Sequence, residues 1–447
     1  MSVASPQNAI RRERAIRLTV AASVGAKAFS VACTFAQVPL AVHYLGAEAY
    51  GFWITIFSIV FVLNSVDFGL GVGMQHAMAR SFGCDDMESV KRAFWTGAAV
   101  LSLLGLVVLA VGLPVARMSL WANVLQIRDG GLRADVTRAL MIALGSFVVG
   151  LPFNAVARLA AAVQRGWIHA GWIAAGSAIS LALVAAAARG HWGFLWFLTA
   201  SLLVPTIQGL GLFIHLLRRL RWGLNPTPLA PASEIRGMLQ SSLYFAFPQF
   251  GLVLVQSAPA VAISVAEGSA AVTGYNLLIR LFSPFQQGQQ LLLAPIWPAY
   301  TEAHEKSDHP WVERTFLRTV AAFFALAAAI AVVAWKSRAL ISIWIGTAAD
   351  FGAARLSAIV AIWSLLQMAA QPSIFYLIGV GRLRRLAWAA TPGLIFSALA
   401  LFWGASGGTA ESVLNAGSIA LAATLFPPLA WETLTAIRQN KSKGAPR

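Results

Sequence analysis

Four ionisable residues lie inside long apolar stretches of this sequence, where a charge is costly: Lys27, Asp67, Arg158 and Arg280. An arginine at the centre of a bilayer costs roughly 2.5–3.5 kcal/mol on insertion scales, so such residues usually bind something or pair with each other. Lys27 and Asp67 fall at matching depths of neighbouring stretches and could form an ion pair, serving either structure or binding. A guanidinium suits phosphate, because its planar fork of N–H donors can hold two oxygens at once.

Arg280 is the most deeply placed of the bases, and its own stretch has no carboxylate within one helical turn. We expect it either to hold backbone carbonyls or to face a water-filled cavity that admits a substrate. Arg158 lies closer to the end of its stretch. Its side chain can therefore extend to the membrane interface or face an internal lumen.

Side-chain amides cluster in the same part of the chain. Four of them follow Arg280 within five residues: Gln286, Gln287, Gln289 and Gln290. They cannot all face lipid, because an unsatisfied polar group in hydrocarbon is costly. Gln249 and Gln256 are seven residues apart and share one helix face. Since amides suit sugars and guanidinium suits phosphate, we name these candidate substrate-binding residues: Arg280, Lys27, Asp67, Arg158, Gln286, Gln287, Gln249 and Gln256.

Membrane helices must position these residues. The chain has 447 residues, of which 58% are hydrophobic and 11% charged, whereas a soluble domain has about 25% charged residues. Apolar stretches of more than roughly 18 residues, enough to cross a bilayer, recur along the whole chain. We predict an all-α membrane protein with about twelve transmembrane helices: 16–44, 50–78, 92–115, 136–163, 167–188, 192–217, 238–265, 271–299, 315–335, 356–379, 386–403 and 412–436.

The basic residues indicate how these helices are oriented. With the N-terminus in the cytoplasm, 22 of the 33 Lys and Arg residues fall on the cytoplasmic side and 8 on the other. This is the bias that the positive-inside rule describes. The three that remain are Lys27, Arg158 and Arg280. We therefore predict a multi-pass protein with both termini in the cytoplasm.

Weak internal similarity indicates two halves of six helices each. Pro152 corresponds to Pro372, "SLWANV" to "SIWIGT" and "LGAEAYGF" to "VAEGSAAVTGY", at offsets near 220–225 residues. Six crossings return the chain to its starting side, so the halves have the same orientation, and such parallel repeats commonly hold substrate between two lobes. We predict an N-terminal lobe at 1–217, a cytoplasmic linker at 218–237 and a C-terminal lobe at 238–447.

Several classes of function find no support in the sequence. The net charge of +16 follows membrane topology, so we expect no nucleic-acid partner. The chain has no nucleophile motif, metal-spaced cluster or phosphate-binding glycine loop, and we expect neither an enzyme nor a resident cofactor. Coupling to H⁺ or Na⁺ is left open.

One hairpin resembles a known family. The segment "HYLGAEAYGFWITIFSIVFVLNSVDFGLGVGMQHAMAR" is similar to the first hairpin of bacterial polysaccharide flippases, through its "YLG…YG" entry and its acidic "D-x-G-L". Those flippases are the oligosaccharide-lipid branch of the superfamily that also contains multidrug and toxic-compound extruders (MATE). "PIWPAYTEA" and "WVERTF" look like the matching element of the second half. The resemblance extends over all twelve helices, and these hairpins are its most specific parts.

The resemblance implies a MATE-like protein of two six-helix lobes in a V shape, working by alternating access. The implied substrate is an undecaprenyl-diphosphate-linked oligosaccharide such as an O-antigen or exopolysaccharide unit, flipped across the bacterial inner membrane. A polysaccharide polymerase and a chain-length regulator are the implied partners, and we expect a monomer. In related lipid II flippases a cationic cavity receives the diphosphate, a role that Lys27 and Arg280 match by helix and depth.

Three other classes of membrane protein are alternatives. A multidrug extruder shares the fold, but its substrates are usually cationic, whereas three bases and one acid lie deep in these helices. A major-facilitator carrier would have a glycine- and arginine-rich loop after helix 2, where this chain has "RSFGCDDMESVKR". A non-transporting scaffold of a polysaccharide assembly complex would differ from a transporter in tolerating the loss of the Arg280 charge.

Overall fold

The computed structural model describes residues 6–64, 70–222, 228–293, 296–306, 308–346 and 354–444. For 6–20, 70, 72, 232–249, 297–298, 309 and 440–444, it describes the backbone alone. Helices dominate these ranges, and no strand occurs in them. The α-helices are α1 Pro6–Asn64, α2 Leu70–Gly83, α3 Met87–Ala116, α4 Trp121–Val124, α5 Gly130–Gly150, α6 Phe153–Ala162, α7 Gly166–Gly190, α8 Phe194–Leu220, α9 Ala232–Glu267, α10 Ser269–Leu293, α11 Ile296–Glu305, α12 His309–Ile345, α13 Ala354–Gly379, α14 Leu383–Gly404 and α15 Ala410–Gly444.

The predicted helix 1 and the start of helix 2 form one continuous stretch, α1. Gly46 interrupts it with a left-handed backbone (φ 77°, ψ 170°), so α1 consists of two helices joined directly at this glycine. Glycine reaches this conformation without the steric penalty that a Cβ atom would bring. The predicted helix 2 continues in α2, after residues that the structure does not describe.

The chain forms two compact units, each with its own core. Unit 1 comprises Met1–Gly46, Leu63–Ala122 and Arg128–Leu243; unit 2 comprises Ala47–Val62, Asn123–Ile127 and Tyr244–Arg447. The second helix of α1 is thus grouped with the C-terminal half. The lobes predicted at 1–217 and 238–447, with their linker at 218–237, stay a prediction.

Large side chains fill the core of each unit. In unit 1, Met78, Phe94, Phe147 and Leu159 are all at most 2% exposed and belong to one hydrophobic cluster. In unit 2, the fully buried residues include Trp363, Tyr300, Tyr376 and Phe282. Tyr300 and Tyr376 meet edge to face, with ring centroids 5.7 Å apart. Rings in this geometry attract each other beyond the effect of their burial.

Matching local structures recur at the offset that the sequence repeat predicts. Gly46 and Gly268 both have positive φ and lie 222 residues apart, each in front of a helix. Asp86 and Asp308, also 222 apart, cap α3 and α12 by accepting hydrogen bonds from the backbone N–H of Ser89 and Trp311. The hydrogen bonds from Ser89 lower the pKa of the Asp86 carboxyl below its usual value. Two halves of similar local structure agree with an internal repeat.

Ten stretches of the described chain are long and apolar enough to span a membrane. The first, Ala21–Asn64, contains all of the predicted helix 1 after its first turn and most of helix 2. The predicted helix 8 lies in α10, which is not among the ten because its polar residues lower its hydropathy. The ten stretches therefore correspond to eleven of the twelve predicted helices, and α10 corresponds to the twelfth.

Candidate functional site

Arg280 lies midway along α10 and is half-buried. Its carbonyl oxygen accepts a hydrogen bond from the Ser283 hydroxyl at 2.9 Å. Within the described part of the chain, its guanidinium has no ion pair or hydrogen bond. A guanidinium has five N–H donors, so all five are available to a ligand or to water.

Arg280 belongs to a polar stripe along α10, which consists of Ser269, Thr273, Asn276, Arg280, Ser283 and Gln287. Their spacing of four, three, four, three and four residues places them on one face of a helix. The polar stripe thus forms a continuous row of hydrogen-bonding groups along α10.

One end of the polar stripe is bonded to the second helix of α1. The Thr273 hydroxyl donates to the Ala47 carbonyl at 2.5 Å, and the Tyr50 hydroxyl donates to the Asn276 amide oxygen at 2.8 Å. Tyr50, Thr273 and Asn276 are buried, whereas Arg280 and the residues after it in the polar stripe are only half-buried. The stripe therefore has a structural end, up to Asn276, and an open end from Arg280 onward.

A glycine permits this close packing. A Cβ atom on Gly51 would lie 1.7 Å from the carbonyl oxygen of Ser269, the first residue of α10. No other residue fits there without moving one helix. The "YG" of the α1 hairpin, Tyr50 and Gly51, thus supplies both the hydrogen bond to Asn276 and the space that lets the helices approach.

The four glutamines of α10 have different environments. Gln289 is buried, and its Nε2 donates to the carbonyl of Met368 in α13 at 3.1 Å. That carbonyl lies four residues before Pro372, which has no N–H to donate to it within the helix. Gln289 therefore supplies a missing structural hydrogen bond.

The remaining three glutamines lie on other faces of α10. Gln286 and Gln287 are half-buried, and Gln290 is exposed. The Gln286 Nε2 atom is buried without a hydrogen-bond partner in the described chain. Gln287, on the polar stripe, lies on the same face as Arg280, two turns further along the helix.

Of the two candidate residues of α9, the structure describes the side chain of one. Gln256 is exposed. The side chain of Gln249 lies outside the described residues, so the predicted shared face of these two glutamines stays a prediction.

The other candidate charges belong to unit 1. Lys27 is exposed on α1. Asp67 lies outside the described residues, and the Lys27–Asp67 pair therefore stays a prediction. Arg158 is half-buried on α6, and its Nη1 donates to the Gln75 amide oxygen in α2 at 3.4 Å. This weak bond links two helices and leaves the Arg158 charge without an ion pair among the described residues.

Sequence reasoning missed the polar stripe as a unit. Neither Thr273 nor Asn276 was among the candidate residues, and the partner role of Tyr50 was not identified. The alternating four- and three-residue spacing was visible in the sequence and could have revealed the stripe. The partners in α1 could not be read from it, because they lie more than 220 residues away.

Solved structures of membrane transporters have the same architecture. A multidrug resistance MATE family transporter of the MOP superfamily, in an inward-facing conformation, superposes with a TM-score of 0.70 at 14% identity, over 92% of this chain and 96% of that one. An outward-facing structure of the same description gives 0.65 at 16% identity, over 96% and 97%. This chain has a MATE-like fold.

A third MATE-like structure is a MOP superfamily transporter from Pyrococcus furiosus Vc1, with a TM-score of 0.64 at 15% identity over 96% of this chain and 97% of that one. It is described as having a binding pocket of reverse polarity that suggests a different function. No protein-family model matches the sequence, and no curated protein shows a significant match. The MATE-like fold and the spans together make this chain a multi-pass membrane protein whose structural neighbours are transporters, not enzymes.

Proposed function

We propose that this protein is a secondary transporter that flips an undecaprenyl-diphosphate-linked oligosaccharide across the bacterial inner membrane by alternating access. The observation that carries the proposal is the half-buried Arg280 guanidinium, which has no ion pair in the described chain. A charge in this position destabilises an empty site and is offset when an anion binds. A diphosphate is such an anion, and guanidinium holds it bidentately.

The groups beside Arg280 suit the same ligand. Ser283 and Gln287 follow it on the open end of the polar stripe and offer a hydroxyl and an amide. Such groups can hydrogen-bond the sugar nearest the diphosphate. Lys27 and Arg158 add positive charge to unit 1, and with Asp67 they remain candidate binding residues.

A multidrug-extruder-like transporter of a small solute is the second candidate. The fold supports it equally, because two of the structural neighbours are described as multidrug resistance transporters. The sign of the charges favours the flippase: the predicted membrane helices carry three bases, Lys27, Arg158 and Arg280, and one deep acid, Asp67. The Pyrococcus furiosus neighbour, with its reversed pocket polarity, is a precedent for a different function on this fold.

The proposed substrate determines which partner proteins and which membrane orientation we propose. A lipid-linked oligosaccharide is made on the cytoplasmic side and polymerised on the other, so a polysaccharide polymerase and a chain-length regulator are the proposed partners. The cytoplasmic placement of both termini belongs to this proposal, as do a monomeric state and the use of an H⁺ or Na⁺ gradient.

The test compares charge removal at Arg280 with charge removal at a control site. In cells that lack the wild-type gene, we expect Arg280→Gln to abolish periplasmic delivery of lipid-linked oligosaccharide while the protein stays at its normal level. Arg384→Gln is the matched control, because Arg384 is exposed on α14 and makes no ion pair in the described chain. Normal delivery by Arg280→Gln contradicts the proposal, and loss of cationic-dye efflux instead supports the extruder.

A further inference from the structure

Unit 2 contains a cavity that no residue of the polar stripe lines. A cavity of about 160 Å³ lies among α9, α13, α14 and α15. All but two of its lining residues are apolar; Leu252, Ile374, Leu386, Leu394 and Leu421 are examples. None of them is charged. The cavity therefore favours a neutral and mainly apolar occupant.

Two glutamines on one face of α13 are the polar side chains of the lining. Gln367 and Gln371 are four residues apart. The Gln367 Nε2 makes only a long bond of 3.5 Å to the Trp363 carbonyl of its own helix. Gln371 is 9% exposed, and its amide has no hydrogen-bond partner in the described part of the chain. The Gln371 amide is not among the fully buried unpaired groups of the described chain, so it keeps accessible surface and can bond an occupant of the cavity.

The cavity is partly open, and its volume of about 160 Å³ indicates the size of the occupant that its apolar part can hold. A dry apolar cavity of about 150 Å³ is known to hold a benzene molecule. A water molecule is held well only where two to four polar groups surround it, and here the polar groups lie on a single helix face. A molecule the size of a substituted benzene ring, with a hydrogen-bonding group at one end, satisfies both the apolar wall and the Gln371 amide.

We propose that this cavity is a binding site for a small neutral lipophilic molecule that carries one amide or hydroxyl group, with Gln371 as its hydrogen-bond partner. The site goes beyond the proposed transport of an anionic lipid and does not depend on Arg280. It is nevertheless one helix away from the polar stripe, because α13 also accepts the Gln289 hydrogen bond from α10. An occupant would therefore pack against the helix that braces α10.

Binding of benzamide to the purified full-length protein in detergent tests the proposal. Equilibrium dialysis, with protein-free detergent as the blank, should show saturable binding of one benzamide per chain. Gln371→Leu should weaken benzamide about five- to tenfold, the usual effect of losing one hydrogen bond. Toluene, which has no hydrogen-bonding group, should bind the wild type and Gln371→Leu equally. Benzoate, which is charged, should not bind.

Two further variants keep the experiment decisive. Gln371→Asn retains an amide at a shorter reach and should weaken benzamide less than Gln371→Leu does. Gln290→Leu removes an exposed glutamine of α10 outside the cavity and should leave benzamide binding unchanged. Toluene binding by each variant reports that the cavity is intact. The proposal is overturned if benzamide does not saturate, if Gln371→Leu binds it as the wild type does, or if a co-purified lipid acyl chain fills the cavity.

Discussion

Arg280 illustrates how one residue can be costly for folding and useful for function. Its neighbours Thr273 and Asn276 on the polar stripe are satisfied by α1, whereas its own guanidinium has no hydrogen bond or ion pair in the described chain. The bonds at the structural end fix α10 in place, and this holds Arg280 at a defined position. A defined position matters for binding, because a ligand group then meets a donor set that is already oriented.

The conservative substitution at Arg280 separates charge from geometry. We expect Arg280→Lys to retain partial export, because an ammonium still attracts phosphate but cannot hold two oxygens in a planar fork. The loss of one charge-assisted hydrogen bond corresponds to a reduction of roughly ten- to a hundredfold. Initial rates of glycan delivery, normalised to protein level, measure this. Equal rates for Arg280→Lys and Arg280→Gln would show that the charge itself is not what matters.

Lys27 and Asp67 are expected to be coupled. Their matching depth on neighbouring helices predicts an ion pair, so Lys27→Met and Asp67→Asn should each impair delivery or protein level. The double variant should then be milder than the sum of the two, by an interaction energy of about 0.5 kcal/mol or more. A complementation assay of all four genotypes measures it, and strict additivity would argue against the pair.

At the residue scale, the sequence predicted the environment of polar side chains better than it predicted their hydrogen-bond partners. The crowding of glutamines in helix 8 predicted that not all of them face lipid, and the buried Gln289 agrees with this. It could not show that Gln289 serves the carbonyl freed by Pro372, since that contact joins residues 79 apart. Which amides face a ligand depends on such pairings, and they become visible only once helices are packed.

At the element scale, the contact between the second helix of α1 and α10 depends on Gly51. We expect Gly51→Ala to destabilise the protein by about 1–3 kcal/mol, the usual cost of overpacking, because its new Cβ meets the Ser269 carbonyl oxygen. Export should fall as well, since α10 carries Arg280. Thermal unfolding of the purified variants measures the first effect.

Gly145→Ala is the matched control for Gly51→Ala. Gly145 lies within α5, and a Cβ atom there would meet nothing within 4 Å. Alanine is a better helix former than glycine by about 1 kcal/mol, so this variant should be neutral or slightly stabilised. Equal melting temperatures for the Gly51→Ala variant and the wild type would show that the helices have room to separate.

The membrane helices could be predicted where hydropathy changes sharply along the sequence. Where it does not, their boundaries could not be predicted as well. Helices 3 to 7 and 9 to 12 correspond to separate apolar stretches, and their existence follows from length and composition alone. The direct junction at Gly46 did not follow, because it depends on a single left-handed backbone torsion. Gly46 was part of a recognised motif, yet the motif indicated a family and not a conformation.

At the scale of the whole molecule, two halves with matching glycines and matching helix caps support a protein built from a repeat. Each half would contribute its own charges: Lys27 and Arg158 in unit 1, Arg280 in unit 2. A transporter that works by alternating access needs two bodies that can move separately, and the inward- and outward-facing neighbours show that this fold adopts both states. The function proposed for Arg280 therefore requires a specific orientation in the membrane.

That orientation is the last prediction. The excess of basic residues, 22 against 8, predicts that both termini lie in the cytoplasm and the connector 117–135 on the opposite side. We expect a cytoplasm-active reporter fused after Arg438 to be active, and an export-dependent reporter inserted between α4 and α5 to be active as well. Because Arg280 lies in the eighth predicted span, a missing or additional crossing before that span would reverse α10. If the reporter after Arg438 is active only on the opposite side of the membrane, it contradicts the predicted topology, on which the proposed direction of transport depends.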